Sequence, residues 1–84
     1  MLFYFYVEKP NDFSEVFFKV QELLKKEGGE LKGDEQKGTI LSHGVLGEYE
    51  VLEEYILIKV KKKPLLVPNK LIEKEIKKIF SLLQ

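Results

Sequence analysis

The chain has no cysteine, tryptophan, arginine or alanine, and only one histidine and three prolines. Without cysteine there is neither a disulfide nor a thiolate zinc site, and a single histidine excludes a His-rich metal cage. At 84 residues the chain lies near the lower end of what folds on one hydrophobic core. With no covalent or metal staple, that core or an oligomer interface must supply the stability. No apolar run approaches the roughly 18 residues that a membrane-spanning helix needs. The stretch Met1–Val7 has no basic leader and no small-residue cleavage site, so no secretory signal is expected there and the expected location is cytoplasmic.

What is present is apolar and polarised. Hydrophobic residues make up 44% of the chain and ten residues are aromatic, six Phe and four Tyr, which is ample for an ordered single domain spanning 1–84. All fourteen cations are lysine, and twelve of the fourteen acids are glutamate. Such Lys/Glu enrichment suits a thermophile, and an AT-rich genome favours the same residues. The zero net charge conceals a segregation. Residues 1–57 hold six lysines and twelve acids, a net −6, whereas residues 58–84 hold eight lysines and two acids, a net +6. The plain expectation is that the two halves meet and neutralise each other.

The pattern predicts an α+β fold: an antiparallel sheet of about four strands with two amphipathic helices, in the order β-α-(β)-β-β-β-α. Leu2–Glu8 is aromatic and β-branched, and both its alternating sets are apolar, so both faces of this strand are expected to be covered. Asp12-Phe-Ser-Glu15 reads as a capping box. Behind it, Phe13, Val16, Phe17, Val20, Leu23 and Leu24 fall on one helical stripe, and Gly28-Gly29 ends the helix. Residues 30–37 read as a loop or a short edge strand. Thr39–His43, Glu48–Val51 and Tyr55–Lys61 follow as strands too close together for crossover helices, hence antiparallel. A last helix is expected from about Pro68 to Leu83.

Several features could carry chemistry. Gly44-Val-Leu-Gly47 matches the GxxG loop of a nucleic-acid-clamping module, but that loop lies between helices, whereas here the flanks read as strands. No phosphate-binding or dinucleotide-binding glycine pattern occurs. His43, with Glu48 and Glu50 nearby in sequence, is the one grouping that could relay a proton or bind a metal, and a lone surface histidine is the commoner outcome. Ser14 and Ser42 have no visible base partner. No catalytic, cofactor-binding or metal-binding residue is therefore assigned, no cofactor is implied, and an enzyme is not expected.

Two surfaces stand out. Leu65, Leu66 and Val67 form an apolar tract between Pro64 and Pro68, where a connecting loop is usually polar. Phe18 lies off the apolar stripe of the first helix, and with the two-sided aromatic strand it suggests a surface that a homodimer or protein partner would bury. The second surface is basic. Lys61, Lys62 and Lys63 lead to a helix whose Lys70, Lys74, Lys77 and Lys78 share one side, opposite a wide arc of Leu71, Ile72, Ile76, Ile79, Phe80, Leu82 and Leu83. Lysine offers point charges without the bidentate fork of arginine, so specific nucleic-acid recognition is not expected. Weak, salt-sensitive attachment to nucleic acid or to an anionic membrane is the alternative that the lysines leave open.

Gly44-Val-Leu-Gly-Glu-Tyr-Glu-Val51, the strand Ile56–Val60, the apolar tract 65–67 and the helix Ile72-Glu-Lys-Glu-Ile76 together resemble the small polyhydroxyalkanoic acid system family proteins. The resemblance covers about half of the chain. It implies a small binding protein that touches apolar or lipid-like material, and it carries no catalytic residue. The first helix departs from it, being Lys/Phe-rich where that family has Ala and Arg. A sheet followed by a long C-terminal helix is also analogous to a much reduced helix-grip fold, whose larger members hold hydrophobic ligands. The expected function is thus a small binding or interaction domain, self-associating, with its apolar contact surface near residues 64–68 and the last helix. A wide apolar cleft beneath that helix would favour a hydrophobic small ligand. An enzyme built on His43 and its nearby carboxylates ranks third.

Overall fold

Period-two alternation becomes five strands, and period-3.6 stripes become two helices. The computed structural model describes residues 1–84, with β1 (Phe3–Glu8), α1 (Phe13–Lys26), β2 (Glu30–Gly33), β3 (Lys37–Ser42), β4 (Val45–Val51), β5 (Tyr55–Lys62) and α2 (Asn69–Leu82). The strands form one sheet in the order β1-β5-β4-β3-β2, and every neighbouring pair is antiparallel. The fold is therefore α+β, with five strands rather than about four. The extra one is β2, whose single inward apolar residue, Leu31, pairs opposite Ile40. A four-residue edge strand needs no more than that.

Strand parity decides which side is core. Phe5 and Val7 on β1 lie opposite Ile58 and Ile56 on β5, and Tyr49 on β4 lies opposite Ile58. All are buried, and Ile56, Ile58 and Val60 are the most enclosed side chains in the chain. The helices cover this face alone. From α1, Val16, Phe17, Val20 and Leu24 enter the core, as the stripe predicts. From α2, only Ile72 and Phe80 are fully buried. Ile76, Ile79 and Leu83 are partly covered, while Leu71 and Leu82 remain exposed. The apolar arc of α2 is wider than the sheet beneath it.

The other face is open, which corrects the expectation for the first strand. Tyr4, Tyr6 and Tyr55 are each about half exposed there, stacked edge-on in sequence at ring separations of 6.0 and 6.2 Å. β1 is an edge strand, paired only with β5. Its second apolar set is a row of tyrosines, which can keep a hydroxyl in water while the ring covers backbone. The capping box also fails to close. Asp12 holds the N-cap position without a side-chain cap bond, and Ser14 turns its hydroxyl to the Glu35 carboxylate instead. That contact ties the start of α1 to the β2–β3 loop.

No helix is long and apolar enough to cross a membrane.

Candidate functional site

Three segments distant in sequence meet at one end of the sheet. The β3–β4 hairpin closes there through His43-Gly44, with φ of 50° and 79°. A two-residue turn with both φ positive matches the twist of the strands it joins. Ser42 pairs with Val45 across it, and a bulge follows between Leu46 and Gly47. The Gly44-Val-Leu-Gly47 stretch is thus a turn plus a bulge. A Cβ on Gly44 would lie 3.1 Å from Pro64 Cγ, so the hairpin tip seats the start of the proline-bracketed tract. The end of α1 arrives at the same place, because Gly29 packs against the Leu41 carbonyl so closely that a side chain would not fit.

Between these segments the helices do not close over the sheet. A cleft of about 370 Å³ remains, walled by Val20, Leu23 and Leu24 of α1, Ile40 and Val45 of the hairpin, and the Leu71, Ile72, Ile76 and Ile79 side of α2. Eleven of its fifteen lining residues are hydrophobic. The volume falls within the roughly 300–1,000 Å³ typical of small-molecule sites, and apolar lining with few polar groups is their usual chemistry. The polar lining is Glu27, Ser42, His43 and Glu75, with no lysine. The cleft thus offers two carboxylates, a hydroxyl and an imidazole to anything bound within it.

Val67 lines this cleft, whereas Leu65 and Leu66 are each 95% exposed. The tract predicted as one apolar contact is therefore split into a wall residue and a projecting tip. The tip is held in shape. The Val67 amide donates to the Pro64 carbonyl at 3.2 Å, and the Lys63 ammonium donates to the Val67 carbonyl at 2.8 Å. Phe18 is 60% exposed on α1 and lines no part of the cleft.

The lysines divide in the same way. Lys61 reaches Glu48 at 3.5 Å and Lys77 reaches Glu73 at 2.7 Å. Lys62, Lys70, Lys74 and Lys78 are exposed and form no ion pair. The charge segregation is thus only partly neutralised by contact across the sheet.

His43 lies on the helix side, at the cleft. Glu48 and Glu50 do not join it. They alternate with the inward Gly47 and Tyr49 on β4, which places them on the open face, opposite Lys59 and Leu57 of β5. The carboxylates that share the cleft lining with His43 are instead Glu27 and Glu75, separated from it in sequence by 16 and 32 positions. No three metal-ligating side chains converge anywhere.

The other electrostatic feature lies at the opposite end, where Asp34 accepts hydrogen bonds from the Gln36 and Lys37 amides at 2.8 and 3.0 Å. Those two backbone donors hold its carboxyl below the usual range, with nearby Lys37 adding to the effect. The Tyr49 hydroxyl donates to the Asp34 carbonyl at 2.7 Å. Burial, then the Asp34 charge, pushes this phenol up to about 12. The arrangement locks a hairpin loop and borders a second, polar depression of about 500 Å³, shared with Glu48, Glu50 and Lys59, whose lining has one hydrophobic residue in eight.

Comparison with protein-family models, with curated proteins and with solved structures found no match.

Proposed function

We propose that this protein is a small binding module that takes an apolar molecule into the cleft between α1, α2 and the β3–β4 hairpin. The observation that carries the reading is the unfilled, apolar-walled volume of about 370 Å³ beneath α2. The walls of an open cleft forgo dispersion contacts that packed side chains would make. An occupant would restore them. The resemblance noted for residues 44–51, 56–60, 65–67 and 72–76 points to the same class of ligand.

The polar lining narrows the choice. Glu27 and Glu75 would repel a carboxylate end group, and no lysine lines the cleft to offset them. A neutral apolar molecule, or one whose polar end donates hydrogen bonds, fits better. His43 and Ser42 can each donate or accept, so they set orientation.

The test is a titration with the apolar fluorophore N-phenyl-1-naphthylamine. The wild-type protein should bind it saturably, and Ile76→Trp, which fills the cleft, should weaken binding by on the order of tenfold or more. A long-chain amine or alcohol should displace it at lower concentration than the carboxylate of equal length. Charge reversal at Lys74, Lys77 and Lys78 should leave affinity nearly unchanged. Probe binding that survives the tryptophan undiminished would remove the cleft from the account.

A further inference from the structure

The fully exposed leucines call for an explanation that the cleft does not give. Loop leucines at 95% exposure contribute nothing to the core, yet the tip that carries them is built. Prolines restrict the backbone on both sides, a turn hydrogen bond closes Pro64 on Val67, and the Lys63 ammonium caps the Val67 carbonyl. Ordering a turn so that it projects two apolar side chains into water is unfavourable unless something covers them. Leu2 is exposed near the same end, since its amide pairs with the Val60 carbonyl beside the exit of β5.

The charge around the tip indicates what covers it. Between Glu54 and Glu73 there is no acid at all, and five lysines, Lys59, Lys61, Lys62, Lys63 and Lys70, fall in that interval. Lys62 and Lys70 flank the tip, are exposed, and form no ion pair. An apolar tip flanked along the chain by two unpaired lysines matches the layering of an anionic lipid interface, with leucines among the acyl chains and ammonium groups at headgroup level. A second copy of this chain would bring the same lysines against one another.

We infer that the Pro64–Pro68 loop docks this protein on anionic lipid surfaces by inserting Leu65 and Leu66 while Lys62 and Lys70 hold the headgroups. The inference rests on the loop and its charge, and stands or falls separately from occupancy of the cleft. It also places the cleft: Val67 follows the tip directly and lines the cavity, so a docked molecule holds that end of the cleft against the lipid.

The full chain would be sedimented with vesicles of phosphatidylcholine alone and of phosphatidylcholine mixed with phosphatidylglycerol, over a salt series. Sedimentation is expected only with the mixed vesicles and should weaken as salt rises. Leu65→Ser with Leu66→Ser, both at exposed positions that leave the core untouched, should reduce partitioning by roughly tenfold or more. Lys62→Glu with Lys70→Glu should reduce it by a similar factor. Three results would overturn the inference. They are no binding to the mixed vesicles even at low salt, binding that the serine variant retains in full, or a solution dimer that only the serine variant dissociates.

Discussion

Tyr49 shows how much one side chain can settle. Its ring packs against Phe17 at 6.0 Å between centroids and lies over Gly38, where an added Cβ would fall 2.6 Å from its hydroxyl. Its hydroxyl reaches past the strand to the Asp34 carbonyl. Glycine at 38 is thus required twice, by the Lys32 carbonyl that such a Cβ would overlap and by the Tyr49 ring. The phenol is neutral in the folded state up to about 12, whereas in the unfolded chain it ionises near its ordinary value of about 10. The stability this group contributes is therefore complete below pH ~10 and is lost as pH rises towards 12. Tyr49→Phe should cost about 1 kcal/mol at neutral pH through the lost hydrogen bond. It should also flatten the alkaline decline, so that the wild-type advantage shrinks as pH rises above ~10 and is gone or reversed by pH ~12 in urea denaturation. Parallel curves through that window would show that Tyr49 titrates alike in both states. His43 teaches the opposite lesson at the same scale. Its nearness to Glu48 and Glu50 in sequence suggested a grouping, but strand alternation sends both carboxylates to the open face, and the cleft that His43 borders is walled by α1 and α2.

The two helices differ as elements. α1 has Glu15 in its first turn and Lys25 and Lys26 in its last, both favourable to the helix dipole, and buries four residues. α2 has no acid in its first turn, no base in its last, no side-chain cap, and buries two. It depends on its docking to the sheet. Its apolar arc was plain from the 3.6-residue period, but not how little of that arc the sheet would cover, because period reveals direction and not the partner's extent. The β3–β4 hairpin was legible as a glycine break between strands, and its two-residue tip was not, since His43 continues the strand pattern and non-glycine residues seldom take positive φ. Gly44→Ala should cost about 1–2 kcal/mol, because an L-residue there takes a left-handed conformation and its Cβ presses on Pro64. His43→Asn should be neutral or slightly stabilising, since asparagine tolerates this region better. Urea midpoints for the pair would check this, and an alanine variant as stable as the asparagine one would mean the turn is differently built.

For the molecule as a whole, secondary structure and the inner face were readable because each depends on residues close in sequence. The stripe of α1, the alternation at 48–51 and the Ile56/Ile58/Val60 face all appear as expected. The open tyrosine face was hidden because an apolar residue on an edge strand looks the same whether covered or not. The cleft was hidden because its walls come from residues 20–27, 40–45 and 67–80, and a void is a shortfall in packing between elements that no single segment encodes. What results is a half-covered sheet with a cleft between its helices and the β3–β4 hairpin, an exposed leucine pair just before Val67 of its wall, and carboxylates rather than lysines in its polar lining. The most direct measurement is methyl NMR of the isotopically labelled protein during addition of a long-chain alcohol. Shifts should concentrate at Leu23, Ile40, Leu71, Ile76 and Ile79 and saturate together as a single site, leaving Leu57 on the open face unmoved. Shifts spread evenly over both faces, or absent from those five methyl groups at saturation, would contradict a ligand-binding cleft beneath α2.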